Sequence, residues 1–439
     1  VITSSASSTR QVHDVIVIGA GVVGSSIAAA AATAGFRTVV VDRLRGAGMG
    51  STSSSAGIIR VHAEDRESSV MADEALVAWN AWRDFAGVPS GEAAAEFTRC
   101  GTLILDAETA FAHQVCATMS DAGVAYEILT AGDVKATHPD LELGRFGGPR
   151  ALDDPEFGSP AQGDITSAVH TPESGYVADP LLAARNLADR ARAAGAEFRL
   201  GRSVVRVLRT GDRVDGVVLD DGSRLAAEVV VNAAGPASRV VNDLAHVGGD
   251  FCIGTVAVRE ELHHVPLPPD MHLAQHGVHI VDSDLGTNFR TDGAALLIGG
   301  NGAACDISDV LDDPDRFDES ATRAAWERNV LRVAQRIPGL PVPRARQGLA
   351  GVYDQSEDWL PIYDRTDLQG YYVAMGTSGN QFKTAPVTGA MFVGMIQHQL
   401  DGHDQDTDAY QHVLEHSGRT IDTAAFSRLR DPRPTGGRG

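Results

Sequence analysis

Asp14-Val-Ile-Val-Ile-Gly19-Ala-Gly21-Val-Val-Gly24, followed after an alanine-rich stretch by Val39-Val-Val-Asp42, is the segment whose reading decides the fold. Val15 to Ile18 forms a short apolar strand, Ser25 to Ala34 has the alanine content of a helix closed by Gly35, and the second strand ends on an acid. Strand, glycine turn, helix, strand and acid in that order make a dinucleotide-binding βαβ unit. In such a unit Gly19 gives the tight turn, Gly21 lets the backbone approach a pyrophosphate, and Gly24 lets the helix lie close to the strand. The helix N-terminus turns unpaired N–H groups toward phosphate. Asp42 stands near the offset at which a carboxylate accepts hydrogen bonds from a ribose.

The rest of the composition narrows the class. With 439 residues, 43% of them hydrophobic, the chain can bury the cores of two structural domains. No apolar run reaches the roughly 18 residues that cross a bilayer, and the first hydrophobic stretch is the glycine-motif strand rather than a signal peptide. The expectation is a soluble, cytoplasmic protein without membrane insertion. Cys100, Cys116, Cys252 and Cys305 are widely spaced and read as unpaired thiols. A net charge of −21 opposes binding to nucleic acid. Of the 37 basic residues only Lys135 and Lys383 are lysine, so a lysine in a glycine-rich loop is informative, because ammonium is a compact point charge and guanidinium a planar fork.

Residues 1–11 and 431–439 read as tails, the first rich in Ser and Thr, the second in Pro and Gly. After the βαβ unit, Gly46 to Gly57 is a loop of small hydroxyl residues suited to lining phosphate, and Ile58-Ile59-Arg60 follows it. Gly101 to Asp106 reads as a strand; Phe111 to Ala122 and Pro180 to Gly195 read as helices. Ser203 to Leu208 and Val214 to Leu219 alternate as strands, Asp221-Gly222 turns, and the meander leads to Val229-Val-Val-Asn-Ala-Ala-Gly235, a buried strand with small residues, Ala234 and Gly235, where a cofactor can come close. Residues 251–300 read as further strands and Glu319 to Ile337 as a helix. Gly370 to Gly376 enters Thr377-Ser-Gly-Asn-Gln-Phe-Lys383, and a helix from about Pro386 to Gln399 closes the pattern. His263, His264, His272, His276 and His279 crowd one stretch, but Pro266, Pro268, Pro269 and Gly277 oppose a helix there and no ligand set is complete, so no metal is expected.

Taken in order, the glycine fingerprint with Asp42, the segment through Gly57-Ile-Ile-Arg60, Val229-Val-Val-Asn-Ala-Ala-Gly-Pro236 and the C-terminal Gly-x-Ser-Gly-x-x-Phe-Lys383 resemble the D-amino-acid oxidase and sarcosine oxidase flavoproteins, from about residue 14 to 400. The resemblance implies an α/β fold: a Rossmann-like FAD-binding domain of the glutathione-reductase-2 type, with an interleaved α+β substrate domain on an antiparallel sheet. The discontinuous FAD-binding domain is expected at 12–98, 176–248 and 345–400, the substrate domain at 99–175 and 249–344. It further implies that Gly19, Gly21, Gly24, Asp42 and Arg43 hold adenosine and pyrophosphate, that Ser51, Thr52 and Gly57 lie along the flavin, and that the Val204 backbone meets adenine. Gly376, Ser378, Gly379 and Lys383 match the loop beside the flavin pyrimidine and substrate, Arg60 and Lys383 the grip on a substrate carboxylate, and Tyr353 an active-site tyrosine.

Two departures from the family pattern carry expectations of their own. The cysteine that tethers FAD in sarcosine oxidases is matched by Gly351, and histidine tethers by Thr and Ser residues, so FAD is expected to be noncovalent. The lysine that oxidases hold over the flavin has no counterpart in Cys252 to Leu262, which offers only Arg259, so a dehydrogenase passing electrons to another acceptor fits as well as an oxidase using O2. The function implied is oxidation of the C–N bond of a small amino acid or N-alkyl amino acid, with Arg60, Tyr353 and Lys383 at the reacting centre. A flavin enzyme forming an imine or double bond in a biosynthetic intermediate, or a flavoprotein subunit without chemistry of its own, are the alternatives. Oligomeric state stays open.

Overall fold

The computed structural model describes residues 11–433, so most of both expected tails lies outside the described residues. Its first strand, Gln11–Ile18, is central to an eight-stranded sheet, paired in parallel with Thr38–Asp42 on one side and Arg224–Asn232 on the other. Glu197–Leu200 extends the sheet in parallel beyond Thr38–Asp42, and Tyr371–Met375 joins in parallel next to Arg224–Asn232. The meander Val204–Thr210 and Arg213–Leu219 completes the antiparallel edge.

Alternation along these strands builds two cores, since successive side chains point to opposite faces. Val15, Val17, Val40, Val229 and Val231 pack on the face covered by the helices Val22–Thr33, Pro180–Ala193 and Ala385–Leu400. Ile16, Ile18, Val39, Val41 and Val230 pack on the other, against the meander and the helix Ser238–Ala245. The run of apolar residues without polar alternation is what a parallel strand buried on both faces requires.

The second sheet has nine strands, mostly antiparallel, with the long strand Thr255–Pro266 paired to Ala295–Gly300, Asp309–Leu311 and Gly348–Ser356. Its core is closed by the helix Arg323–Arg336, which starts where Thr322 accepts a hydrogen bond from the Ala325 N–H. Because Gly348–Ser356 belongs to this sheet, the division expected at residue 345 does not separate the two sheets. The segment 345–400 gives one strand to the second sheet and two, Ile362–Arg365 and Tyr371–Met375, to the first. A three-stranded sheet of Ile58–Ile59, Phe97–Arg99 and Gly175–Val177 lies at the junction.

Some local expectations shift. The first helix begins at Val22 rather than Ser25, with Gly21 as its N-cap, so Gly24 lies inside the first turn. Residues His272–Gln275 do form one helical turn, with the His272 and His276 rings stacked at 3.9 Å, despite the flanking prolines. The four cysteines are free. Among the described residues no helix is long and apolar enough to cross a membrane.

Candidate active site

The glycine turn is built by close approach of backbone. Gly19 has φ +110°, and a Cβ there would stand 2.2 Å from the Ala233 carbonyl oxygen; one on Gly24 would stand 2.0 Å from the Gly19 carbonyl oxygen. Any larger residue at either position breaks the packing of helix on strand. The N-cap residue of the helix starting at Val22, Gly21, has no side chain to cap it, so the N–H groups of the first turn other than that of Val22, which Thr52 takes, are without a capping side chain from Gly21 and suit an anion. Asp42 is bound into the same turn: its two oxygens accept from the Ala20 N–H at 2.6 Å and the Leu44 N–H at 2.7 Å. Burial raises its pKa against those hydrogen bonds. The turn has the backbone geometry of a dinucleotide cradle: Gly19 and Gly24 set the close packing of helix on strand, and Asp42 is tied to the turn at the end of the second strand.

The hydroxyl-rich loop connects this cradle to a second site. Gly48 N–H donates to the Ala20 carbonyl, and Val22 N–H donates to Thr52 Oγ1 at 3.1 Å, so the loop lies on the glycine turn. At its far side Ser51 Oγ donates to the Val352 carbonyl at 2.6 Å, and Arg290 Nε donates to that of Ala56 at 2.7 Å. A Cβ on Gly351 would lie 2.7 Å from the Ser54 Cβ, so a cysteine at this position does not fit against the loop as it stands.

Beyond the loop lies a cavity of about 180 Å³ between the two sheets. Arg60, Tyr353, Ser378, Gly379 and Lys383 all line it, together with Ser51. Residues 320 positions apart thus meet, because the strand Ile58–Ile59 and the loop after Tyr371–Met375 both end there. That loop is fixed by Asp354, which accepts from the Gly376 N–H through its carboxylate at 2.6 Å and from the Ser378 N–H through its carbonyl at 2.8 Å. Ser378 is held at φ +49°, and its hydroxyl accepts from the Ser356 N–H. Trp79 Nε1 donates to the Lys383 carbonyl at 2.8 Å and its ring stacks on Phe382, which anchors the end of the loop.

The cavity brings the cations Arg60 and Lys383 together with carboxylates, Glu64, Asp65 and Glu260 among them. Lys383 is 3% exposed, and burial, reinforced by Arg60, pulls its pKa down to about 7 against the opposing charge of Asp65. Burial, then Glu260, pushes Tyr353 up to about 12. His62 and His279 also line the cavity, and burial followed by the charge of Arg60 keeps both imidazoles neutral near pH 7, His279 at about 3. Neither histidine was singled out as a site residue by the sequence. The signal for His62 is its spacing: two residues past Arg60 in extended chain, it shares that residue's side.

Other expected residues fall elsewhere. Arg43 is exposed and ion-paired with the equally exposed Asp315. Val204 starts the strand at the sheet edge, two residues past an Arg202 N–H that donates to the Asp42 carbonyl. Ala234 and Gly235 follow Ala233 directly beneath Gly19, and Gly57 meets the Val177 backbone. Arg259 is buried in an ion pair with Glu261 at 2.6 Å and donates to the Asp318 and Ser320 carbonyls; Glu260, Glu261 and Leu262 of that strand line the cavity, and Arg259 does not. His398, His403 and Asp408 place ligand-type atoms within 4.8 Å of one another, but both rings are hydrogen-bonded to Asp408 at 2.7 Å and close the loop after the last long helix.

A parallel sheet with a dinucleotide-type glycine turn, joined by one loop to a charged cavity between the two sheets, is the arrangement of a dinucleotide-dependent oxidoreductase. The chain belongs to the DAO family of FAD dependent oxidoreductases, whose family model matches residues 14–395. It is 30% identical over 408 residues to a D-amino acid dehydrogenase of Paramagnetospirillum magneticum, covering 82% of this chain and 90% of that one. In fold it is similar to an L-proline dehydrogenase from P. horikoshii (TM-score 0.74, 20% identity, 96% and 98% of the two chains). A glycine oxidase from Geobacillus kaustophilus is also similar (TM-score 0.70, 20% identity, 96% and 99%).

Proposed function

We propose that the protein oxidises the C–N bond of a small amino acid or N-alkyl amino acid, with Arg60 and Lys383 gripping the substrate carboxylate. The observation that carries this is the convergence of a guanidinium and a buried ammonium on one cavity next to the loop from the cofactor cradle. An anion there gains charge-assisted hydrogen bonds from both groups. The named relatives, a D-amino acid dehydrogenase, an L-proline dehydrogenase and a glycine oxidase, support an amino acid as substrate.

Bound FAD, held noncovalently, supplies a hydride acceptor. The chain's residues supply orientation: with the carboxylate fixed at two points, the neighbouring amine carbon has one placement. That carbon gives up its hydrogen with the bonding pair, and the nitrogen lone pair closes a C=N bond; the nitrogen must therefore be neutral. Arg60 and Lys383 disfavour a further positive charge on the bound amine and so help it lose its proton, against the carboxylates Glu64, Asp65 and Glu260 that share the lining. Tyr353, protonated at neutral pH, offers a hydroxyl along the wall without adding charge. The imine product hydrolyses in water.

Dehydrogenase activity with an acceptor other than O2 is supported by the local charge. The second-sheet strand nearest the cavity presents Glu260 to it, while Arg259 is consumed by Glu261. The experiment is anaerobic mixing of the holoprotein with N-methyl, D- and L-amino acids while following the flavin visible band. Bleaching by one member is expected, and slow recovery in air identifies the dehydrogenase. A flavin that no amino acid bleaches would remove this reading and favour a biosynthetic or noncatalytic role.

A further inference from the structure

Arg60, half-buried at the cavity, differs from the buried arginines Arg259, Arg332, Arg336 and Arg428 in the side chains that hydrogen-bond to it. Arg336 is paired with Asp282 at 2.7 Å, Arg332 with Asp306 at 2.8 Å, Arg259 with Glu261 at 2.6 Å and Arg428 with Asp364 at 3.1 Å. Where burial of a guanidinium serves packing, a carboxylate meets it, as the cost of desolvating a charge requires. At Arg60 the two side chains in hydrogen-bond contact are an amide and an imidazole: Nη2 donates to Asn380 Oδ1 at 2.7 Å, and Nη1 lies 3.1 Å from His62 Nε2.

The state of that imidazole follows from donor arithmetic. A guanidinium has no acceptor, so His62 Nε2 accepts and the ring proton sits on Nδ1. A doubly protonated ring would turn an N–H toward an N–H; burial and the charges of Arg60 and Lys383 act in the same direction, keeping His62 neutral. Glu64 supports the guanidinium charge electrostatically. The fork is thus aimed from two sides by neutral acceptors.

Building on the carboxylate-clamp reading above, we infer that His62 and Asn380 are positioning residues that orient the Arg60 guanidinium without neutralising it, and so reserve its charge for an anionic substrate group. The two contacts come from the two segments that form the clamp: His62 follows Arg60 on its own segment, and Asn380 lies three residues before Lys383. The Asn380 contact therefore also ties the Arg60 segment to the loop that carries Lys383. The consequence is selectivity: a carboxylate at either position satisfies Arg60 internally, and a substrate carboxylate has to displace it.

The test uses holoprotein and acetate as the probe, with binding read by calorimetry and by the shift of the flavin visible band. Asn380→Asp changes little in size and is expected to weaken acetate at least about tenfold. Asn380→Ala, which only loosens the fork, is expected to cost less, and His62→Gln, which keeps a neutral acceptor, to stay within about threefold of the parent. With an amino-acid substrate the Asp variant should raise KM more than it lowers kcat. Parental acetate affinity in Asn380→Asp, or equal losses in the Asp and Ala variants, would overturn the inference, since the side chain would then serve only loop geometry. If Asn380→Asp does not retain flavin, His62→Glu carries the same prediction from the other side of the fork. Arg60→Ala run in parallel separates the two levels: parental acetate binding there removes the clamp itself, whereas loss there with parental binding in Asn380→Asp removes only the positioning role.

Discussion

Gly379 lies so close beneath Tyr353 that a Cβ on it would stand 2.4 Å from the ring Cζ, while its own φ is +69°. A strand of the second sheet and the loop from the first are therefore locked face to face at the cavity mouth, immediately before Asn380 and Lys383. Gly379→Ala has to strain the backbone and push aside a ring that has no flexible end. It should cost about 1–3 kcal/mol of stability. Because the displaced loop carries the clamp, KM for the amino acid should rise as well. Thermal unfolding and steady-state kinetics read both effects; a parental melting temperature with parental KM would show that the contact is slack.

Lys383 gives the site a pH dependence with a fixed sign. Its pKa of about 7 means that the ammonium is present below neutral pH and is lost above it. A carboxylate favours the charged form, so above that point binding must bring a proton with it. Acetate affinity should fall as pH rises past about 7, by up to about tenfold per unit, with proton uptake on binding. His62 stays neutral and Tyr353 stays protonated through this range, so neither supplies the transition. Titration calorimetry in buffers of different ionisation enthalpy measures the uptake. Affinity constant with pH and no uptake would mean that the ammonium does not meet the anion.

Asp354 links loop geometry to stability. Burial raises its pKa to about 7, with the Gly376 N–H and the Thr255 side chain opposing. In the unfolded chain the carboxyl ionises near its ordinary 3.8, so between there and about 7 unfolding releases a proton and stability falls as pH rises. Asparagine keeps an oxygen for the Gly376 N–H and has nothing to ionise. Asp354→Asn should therefore gain stability over the parent as pH increases, reaching on the order of a few kcal/mol at pH 8. Melting temperatures of both proteins across that range provide the check. A difference independent of pH would assign the carboxylate no burial cost.

The glycine turn was legible because its constraint is local: Gly19, Gly24 and Asp42 sit within one βαβ unit whose spacing is set by backbone contact. Arg60 and Lys383 were legible through a family pattern, and the cavity joins them. Asn380 and His62 were not, because their importance lies in what they touch 320 and two residues away, and a lone amide or imidazole carries no periodicity. Arg259 drew attention as a charge on the right strand, but whether it or Glu260 faces the cavity is decided by strand register, which pairs Glu260 with Gly351. The placement of Gly348–Ser356 in the second sheet likewise rests on pairing with residues about ninety positions earlier, a distance over which local pattern is silent.

The clamp is tested most directly by comparing an amino acid that reduces the flavin with the amine of the same side chain that lacks the carboxylate, in the parent and in Arg60→Ala. Rapid anaerobic mixing gives kcat/KM for flavin reduction with each. The parent should prefer the amino acid by at least about 100-fold, and the preference should shrink to within about tenfold in the variant while its flavin content stays unchanged. An undiminished preference in Arg60→Ala would contradict a carboxylate held by Arg60.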